Sequence, residues 1–151
     1  MVRQVAVPGE ARALSTLPQI DYADAFVVEA RPVRAKPEHW LRVMLEDAPL
    51  STRTALRWAW LALGLRLGLD GSTRFVLGWK VLRSTPDHVL VGARSRIGMP
   101  AELLLQRRED SLLFDTFVRH ENPLARAVWA AIEPGHRRVV PRILEQAARK
   151  P

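Results

Sequence analysis

Four histidines and a handful of hydroxyls and carboxylates are the residues of this 151-residue chain whose types could do chemistry. His39, His88, His120 and His136 are spaced so that no two share one helical face, and there is no cysteine, so no metal site is expected. Gly64, Gly68 and Gly71 match no strand–loop–helix phosphate cradle, which leaves no reason to expect a nucleotide or any other cofactor. What remains is chemistry inside an apolar site. Ser95, Thr116 and His120 can form a small polar set that orients a ligand, and a neutral imidazole can also move a proton near pH 7. His136 falls on an apolar helical stripe, where a histidine is either satisfied by a partner in the core or takes that same role. Asp24 and Asp115 are the candidate carboxylates, and Asp24 is expected to pair with an arginine because an unpaired buried charge is costly. His88 reads as a turn residue and His39 as an exposed one.

Those residues need elements to position them. "DYADAFVVEA" alternates Tyr22, Asp24, Phe26 and Val28 against Ala23, Ala25 and Val27, as a strand does. "KPEHWLRVMLEDAP" reads as a short helix with Pro37 at its first position and with Trp40, Val43, Met44 and Ala48 inward. A second helix, capped by the Ser51 hydroxyl, carries "WAWLALGLRLGL" (residues 58–69) and fades near Gly68, before Asp70-Gly71 turns the chain. From Phe75 the period becomes two. Phe75, Leu77, Trp79 and Val81 share one strand face; Val89, Val91, Ala93, Ser95 and Ile97 share the next, with Pro86-Asp87 between them as a turn. "AELLLQ" and "LLFDTFVRH" follow. In the latter Leu112, Phe114, Thr116 and Val118 oppose Leu113, Asp115, Phe117 and Arg119. Asn122-Pro123 opens a last helix with Val128, Ile132, His136, Val140 and Leu144 along one side and with kinks expected at Pro134 and Pro141. Residues 1–17 read as an extended arm, with a short strand within residues 2–7, and the whole chain as one domain, 1–151.

The net charge of +7 invites a nucleic-acid partner, but its distribution argues against a specific one. The 20 arginines run from Arg3 to Arg149, and the densest groups are only the pairs at 107–108 and 137–138. The absence of cysteine and of an uninterrupted apolar block near residue 1 suggests a cytoplasmic address. The apolar stretch at 58–69 is shorter than the roughly 20 residues of a membrane span and contains Arg66. Arg53 and Arg57 beside its tryptophans do suit transient contact with a bilayer surface.

This order of elements, with "DYADAF", "LGWKVLRSTPDHVLVGARSRIGMPAELLLQ" and "NPLARAVWAAIEPGHRRVVPRIL", resembles the START-like (SRPBCC, helix-grip) superfamily, and within it a domain family of unknown function. The resemblance spans about residues 18–148. It implies an α+β fold in which a curved antiparallel sheet wraps around the long C-terminal helix, with two short helices after the first strand and an apolar cavity between sheet and helix. One departure is that four strands are read after the helix pair where the superfamily has six. Superfamily members bind lipids, hormones or polyketides, and some cyclise or hydrolyse them. The resemblance therefore implies binding or carrying of a hydrophobic small molecule. Two alternatives stay open: a small cyclase- or hydrolase-type enzyme acting on such a ligand, and an interaction module with a collapsed cavity. Strand alternation and helical spacing place Trp79, Val91, Ser95, Thr116 and Val118 from the sheet, Trp60 and Leu63 from the helix pair, and Val128 and Ile132 from the last helix around the pocket, with His120 at its rim.

Overall fold

Eleven elements follow one another in the computed structural model, which describes residues 1–29, 34–68 and 73–149. They are β1 (Val2–Val5), α1 (Gly9–Leu14), β2 (Tyr22–Glu29), α2 (Pro37–Leu45), α3 (Leu50–Ala62), β3 (Phe75–Val76), β4 (Trp79–Ser84), β5 (His88–Ala93), β6 (Ala101–Arg107), β7 (Ser111–Val118) and α4 (Pro123–Ala148). The fold is α+β. All strands join one antiparallel sheet in the order β1-β2-β7-β6-β5-β4-β3, and α4 packs against β1, β2 and α2. This architecture is compatible with a helix grip. Among the described residues no helix is long and apolar enough to cross a membrane.

Side-chain alternation divides the sheet into two buried faces. Phe26 and Val28, Val89 and Val91, Leu103 and Leu105, and Phe114 and Val118 belong to the large core beneath the helices. Leu90, Leu104 and Phe117 point the other way and pack with Ala11 of α1 and, more loosely, with Leu14, Leu17 and Ile20. The first twenty residues are thus not simply an extended arm: β1 adds an edge strand, and α1 with the loop after it covers the outer face. This cover explains why β7 is buried on both sides from Leu112 to Val118, mostly by apolar residues, with Asp115 and Thr116 as the polar exceptions. A central strand covered on both faces has no polar side to alternate with.

Among the described residues five strands, not four, follow the helix pair. Phe75, Leu77, Trp79 and Val81 do not form one strand, because the chain reverses at Leu77 (φ 46°) and Gly78 (φ 94°) and pairs Val76 with Trp79. Two consecutive positive φ values in a two-residue connection make a tight hairpin turn that matches the twist of its strands. Leu77 adopts this conformation at a steric cost offset by its burial, and at Gly78 a Cβ would lie 2.8 Å from Leu67 Cβ. Gly78→Ala should therefore cost more than about 1 kcal/mol in urea unfolding. An unchanged midpoint would show that the hairpin relaxes freely.

The helix ends also differ from the sequence reading in part. Pro37 does open α2, but α3 starts at Leu50 after an extended Pro49, and Ser51 makes no capping bond. The helix ends at Ala62, well before Gly68, and the expected turn at Asp70-Gly71 lies outside the described residues, as does Leu69. Asn122 caps α4, its side chain accepting from the Ala125 amide at 2.8 Å. The helix then runs on through Pro134 and Pro141 to Ala148.

Candidate functional site

A cavity of about 410 Å³ opens between the sheet, α3 and α4. The inward sides of β6 and β7 supply its floor through Leu103, Phe114, Thr116 and Val118. Trp60 and Leu63 come from the α3 side, Trp129, Ile132 and His136 from α4, and Trp79 from β4, with its ring edge-on to Trp60 at 5.5 Å. Among the described residues, Thr116 and His136 are the polar lining side chains besides three indoles. Ala59, Ala131, Gly135 and Val139 line the cavity and are also exposed, so the opening lies between α3 and α4. Helix α3 itself buries no residue. Of the apolar stretch it carries, Leu63 and Leu65 are buried, Trp60 is half-buried, and Trp58 and Leu61 are 69% and 51% exposed.

One end of the cavity is polar and ordered by hydrogen bonds. Strand register sets Asp24 on β2 directly beside Thr116 on β7, on the same face. Asp24 Oδ2 accepts from Tyr22 Oη at 2.6 Å and pairs with His136 Nε2 at 2.9 Å. A carboxylate only accepts, so Nε2 carries the hydrogen in this pair. Arg137 Nε donates to Tyr22 Oη at 3.3 Å, and its guanidinium stands 5.8 Å from the centre of the tyrosine ring. Burial, and then the bond to Asp24, push the Tyr22 phenol well above its ordinary range, with Arg137 opposing. The tyrosine therefore stays a donor to Asp24. Trp129 stacks at a tilt on both Tyr22 (4.9 Å) and His136 (5.3 Å), fixing their rings.

The structure brings six of the ten pocket residues read from the sequence around this cavity: Trp60, Leu63, Trp79, Thr116, Val118 and Ile132. The other four lie elsewhere. Val91 is fully buried on the expected face, but α2 packs over β5 and covers it. Ser95 lies beyond β5, where its hydroxyl donates to the Leu63 carbonyl at 3.2 Å and accepts from the Ile97 amide, tying the end of α3 to the sheet. Val128 packs half-buried against the core. His120 lies past the end of β7, with its backbone N–H held by Asp21 Oδ2 at 2.7 Å and its imidazole pKa lowered by burial. The histidine that does line the cavity is His136, and among the described residues Asp24 pairs with it and not with an arginine.

Two further residues of the polar end escaped the sequence reading as site residues. Tyr22 was visible only as a strand position, and Trp129 lies one residue off the four-residue stripe drawn through Val128 and Ile132. The wider inward arc of a helix buried on one side takes in positions three apart as well as four, and Trp129, Ile132 and His136 fit it. Among the described residues no three histidine, cysteine or acidic side chains gather as a metal site would require. Compared with known proteins, the chain matches no family model and no curated protein.

Proposed function

We propose that this protein binds or carries a hydrophobic small molecule. The observation that supports this reading is the cavity of about 410 Å³, which falls within the roughly 300–1,000 Å³ of small-molecule sites and is walled almost wholly by apolar side chains. Voids of this size are not what close-packed cores leave behind, and the third reading, an interaction module with a collapsed cavity, has no use for one. The element order and its resemblance to the START-like superfamily support the same conclusion. An enzyme of the cyclase or hydrolase type is the second reading, favoured by a carboxylate-oriented imidazole at the cavity wall.

A neutral fluorescent probe such as N-phenyl-1-naphthylamine should bind the native protein with a blue shift. Leu103→Trp, which extends a ring from the floor into the void, should weaken that binding at least about tenfold while leaving the thermal midpoint within a few degrees. Equal binding by the variant would place the probe elsewhere and sink the cavity reading. Ligand recovered chemically unchanged after incubation supports the carrier, and chemical conversion supports the enzyme.

A further inference from the structure

The polar end of the cavity carries hydrogen-bonding groups that no atom of the described residues meets. Asp24 Oδ1, Thr116 Oγ1 and Trp129 Nε1 are all buried and lack a partner among the described residues. Asp24, Thr116 and Trp129 are 2%, 3% and 5% exposed. Leaving such groups unmet is costly, and native proteins seldom do so without a reason. Thr116 and Trp129 both line the cavity, Asp24 adjoins Thr116 across the β2–β7 register, and His136 joins the group through Asp24 Oδ2.

We infer that the ligand is a neutral apolar molecule ending in a hydroxyl, an alcohol or a phenol, whose hydroxyl seats among Asp24, Thr116, Trp129 and His136 at the polar end of the cavity. The inference rests on the cavity reading above and specifies its occupant. A hydroxyl both donates and accepts, as this set requires. It donates to the open acceptor, Asp24 Oδ1, and it accepts from Thr116 Oγ1 or Trp129 Nε1. The other common head groups each fail one side. A carboxylate only accepts and would bring a second negative charge beside Asp24. A ketone, ester or ether also only accepts, leaving Asp24 Oδ1 unmet. An ammonium group only donates, leaving the Trp129 N–H unmet, and the nearby Arg137 guanidinium already supplies positive charge through Tyr22.

The test is displacement of N-phenyl-1-naphthylamine from the wild-type protein by ligands of equal chain length: decan-1-ol, its ether isostere 1-methoxynonane, decanoate and decylamine. Decan-1-ol should displace the probe at a concentration about tenfold lower than the ether. Thr116→Val should weaken displacement by alcohol and ether alike, since both can accept from Thr116 Oγ1. Asp24→Asn, whose amide NH2 takes the place of the open acceptor while its oxygen stays with Tyr22 and His136, should instead remove the alcohol's advantage. An advantage that survives in Asp24→Asn would overturn the assignment. Equal displacement by alcohol and ether in the wild type would overturn the hydroxyl subsite and leave the apolar cavity standing. Preference for decanoate or decylamine would overturn the class of head group. Failure of the probe itself to bind would remove the cavity reading and this inference with it.

Discussion

Asp115→Leu is expected to stabilise the protein by up to about 4 kcal/mol above neutral pH, an unusual gain for a single substitution. The side chain is fully buried on the outer face of β7, and neither carboxyl oxygen has a partner among the described residues. Its register neighbours are Leu104 on β6 and Ala25 on β2, both apolar and both without exposed surface. Burial, and after it the charge of Asp24, push its pKa from 3.8 up to about 7, against the opposing pull of Arg108 and Arg12. The sign follows from proton counting. Between the unfolded and folded pKa values the native state holds a proton that the unfolded chain has released, so stability is full below about pH 4 and falls as pH rises towards 7. The loss is complete above that, at roughly 1.36 kcal/mol for each pKa unit.

Leucine removes both the ionisation and the unmet acceptors, and any overpacking beneath α1 subtracts from the gain. Urea unfolding of wild type and variant at pH 5 and pH 8 measures the difference. His88 and His120, whose pKa values are lowered by burial, push stability the opposite way with pH, but both proteins share them, so they cancel. A wild-type-minus-variant difference that stays constant from pH 5 to pH 8 would refute the assignment. Asp115→Asn should abolish the same pH dependence with a smaller gain, because an amide in that place still lacks partners.

The sheet was legible where one face of a strand differs from the other. Trp79, Thr116 and Val118 were correctly set on the inner face because alternation has a fixed period, and Asn122-Pro123 announced α4 through its capping chemistry. The hairpin at Leu77-Gly78 was missed because a leucine at positive φ contradicts the usual turn composition, and the apolar pattern runs straight through it. Helix α1 was missed for a related reason: it follows Pro8-Gly9, has no side-chain cap and spans only six residues. No local signal distinguishes such a segment from an arm. It is helical because the outer face of the sheet rewards Ala11 and Leu14 for packing there.

The site was legible as faces and illegible as contacts. Alternation placed Val91 inward, and inward it is, but whether a position looks into a void or into another helix depends on where α2 comes to rest. Thr116 was legible as a polar residue on an apolar face. Its neighbour Asp24 was read as a charge in search of an arginine, because twenty arginines made that the natural pairing. Only the docking of α4 across β2 brings His136 within 2.9 Å of Asp24. His120 lost its place because β7 ends at Val118, two residues short of the run that would have turned the imidazole inward.

Glu102→Ala should release the N-terminal cover from the sheet, at a cost of about 2–4 kcal/mol. Glu102 is 2% exposed on the outer face of β6, between Gly92 and Phe117. Its carboxylate accepts from the Ser15 hydroxyl at 2.5 Å, from the Thr16 amide at 3.0 Å and from the Thr16 hydroxyl. It is the polar anchor by which the loop after α1 is held against an otherwise apolar surface. Bonds to a charged group are worth about 1.5–3 kcal/mol each, but Ser15 and Thr16 can regain water once the segment lifts, so the net cost stays well below their sum. Once free, Ala11 and Leu14 give up Leu90, Leu104 and Phe117 to solvent. Amide exchange should rise across residues 11–17, and the variant should bind apolar dye at that new surface. Glu102→Gln should fall between, since its carbonyl can still accept but its amide nitrogen cannot. Unchanged exchange in Glu102→Ala would show that apolar packing alone holds the cover. The cavity lies on the opposite face of the sheet, so Glu102→Ala should keep the alcohol-over-ether preference that Asp24→Asn removes; the outer face holds the sheet in shape, and the inner face chooses what it contains.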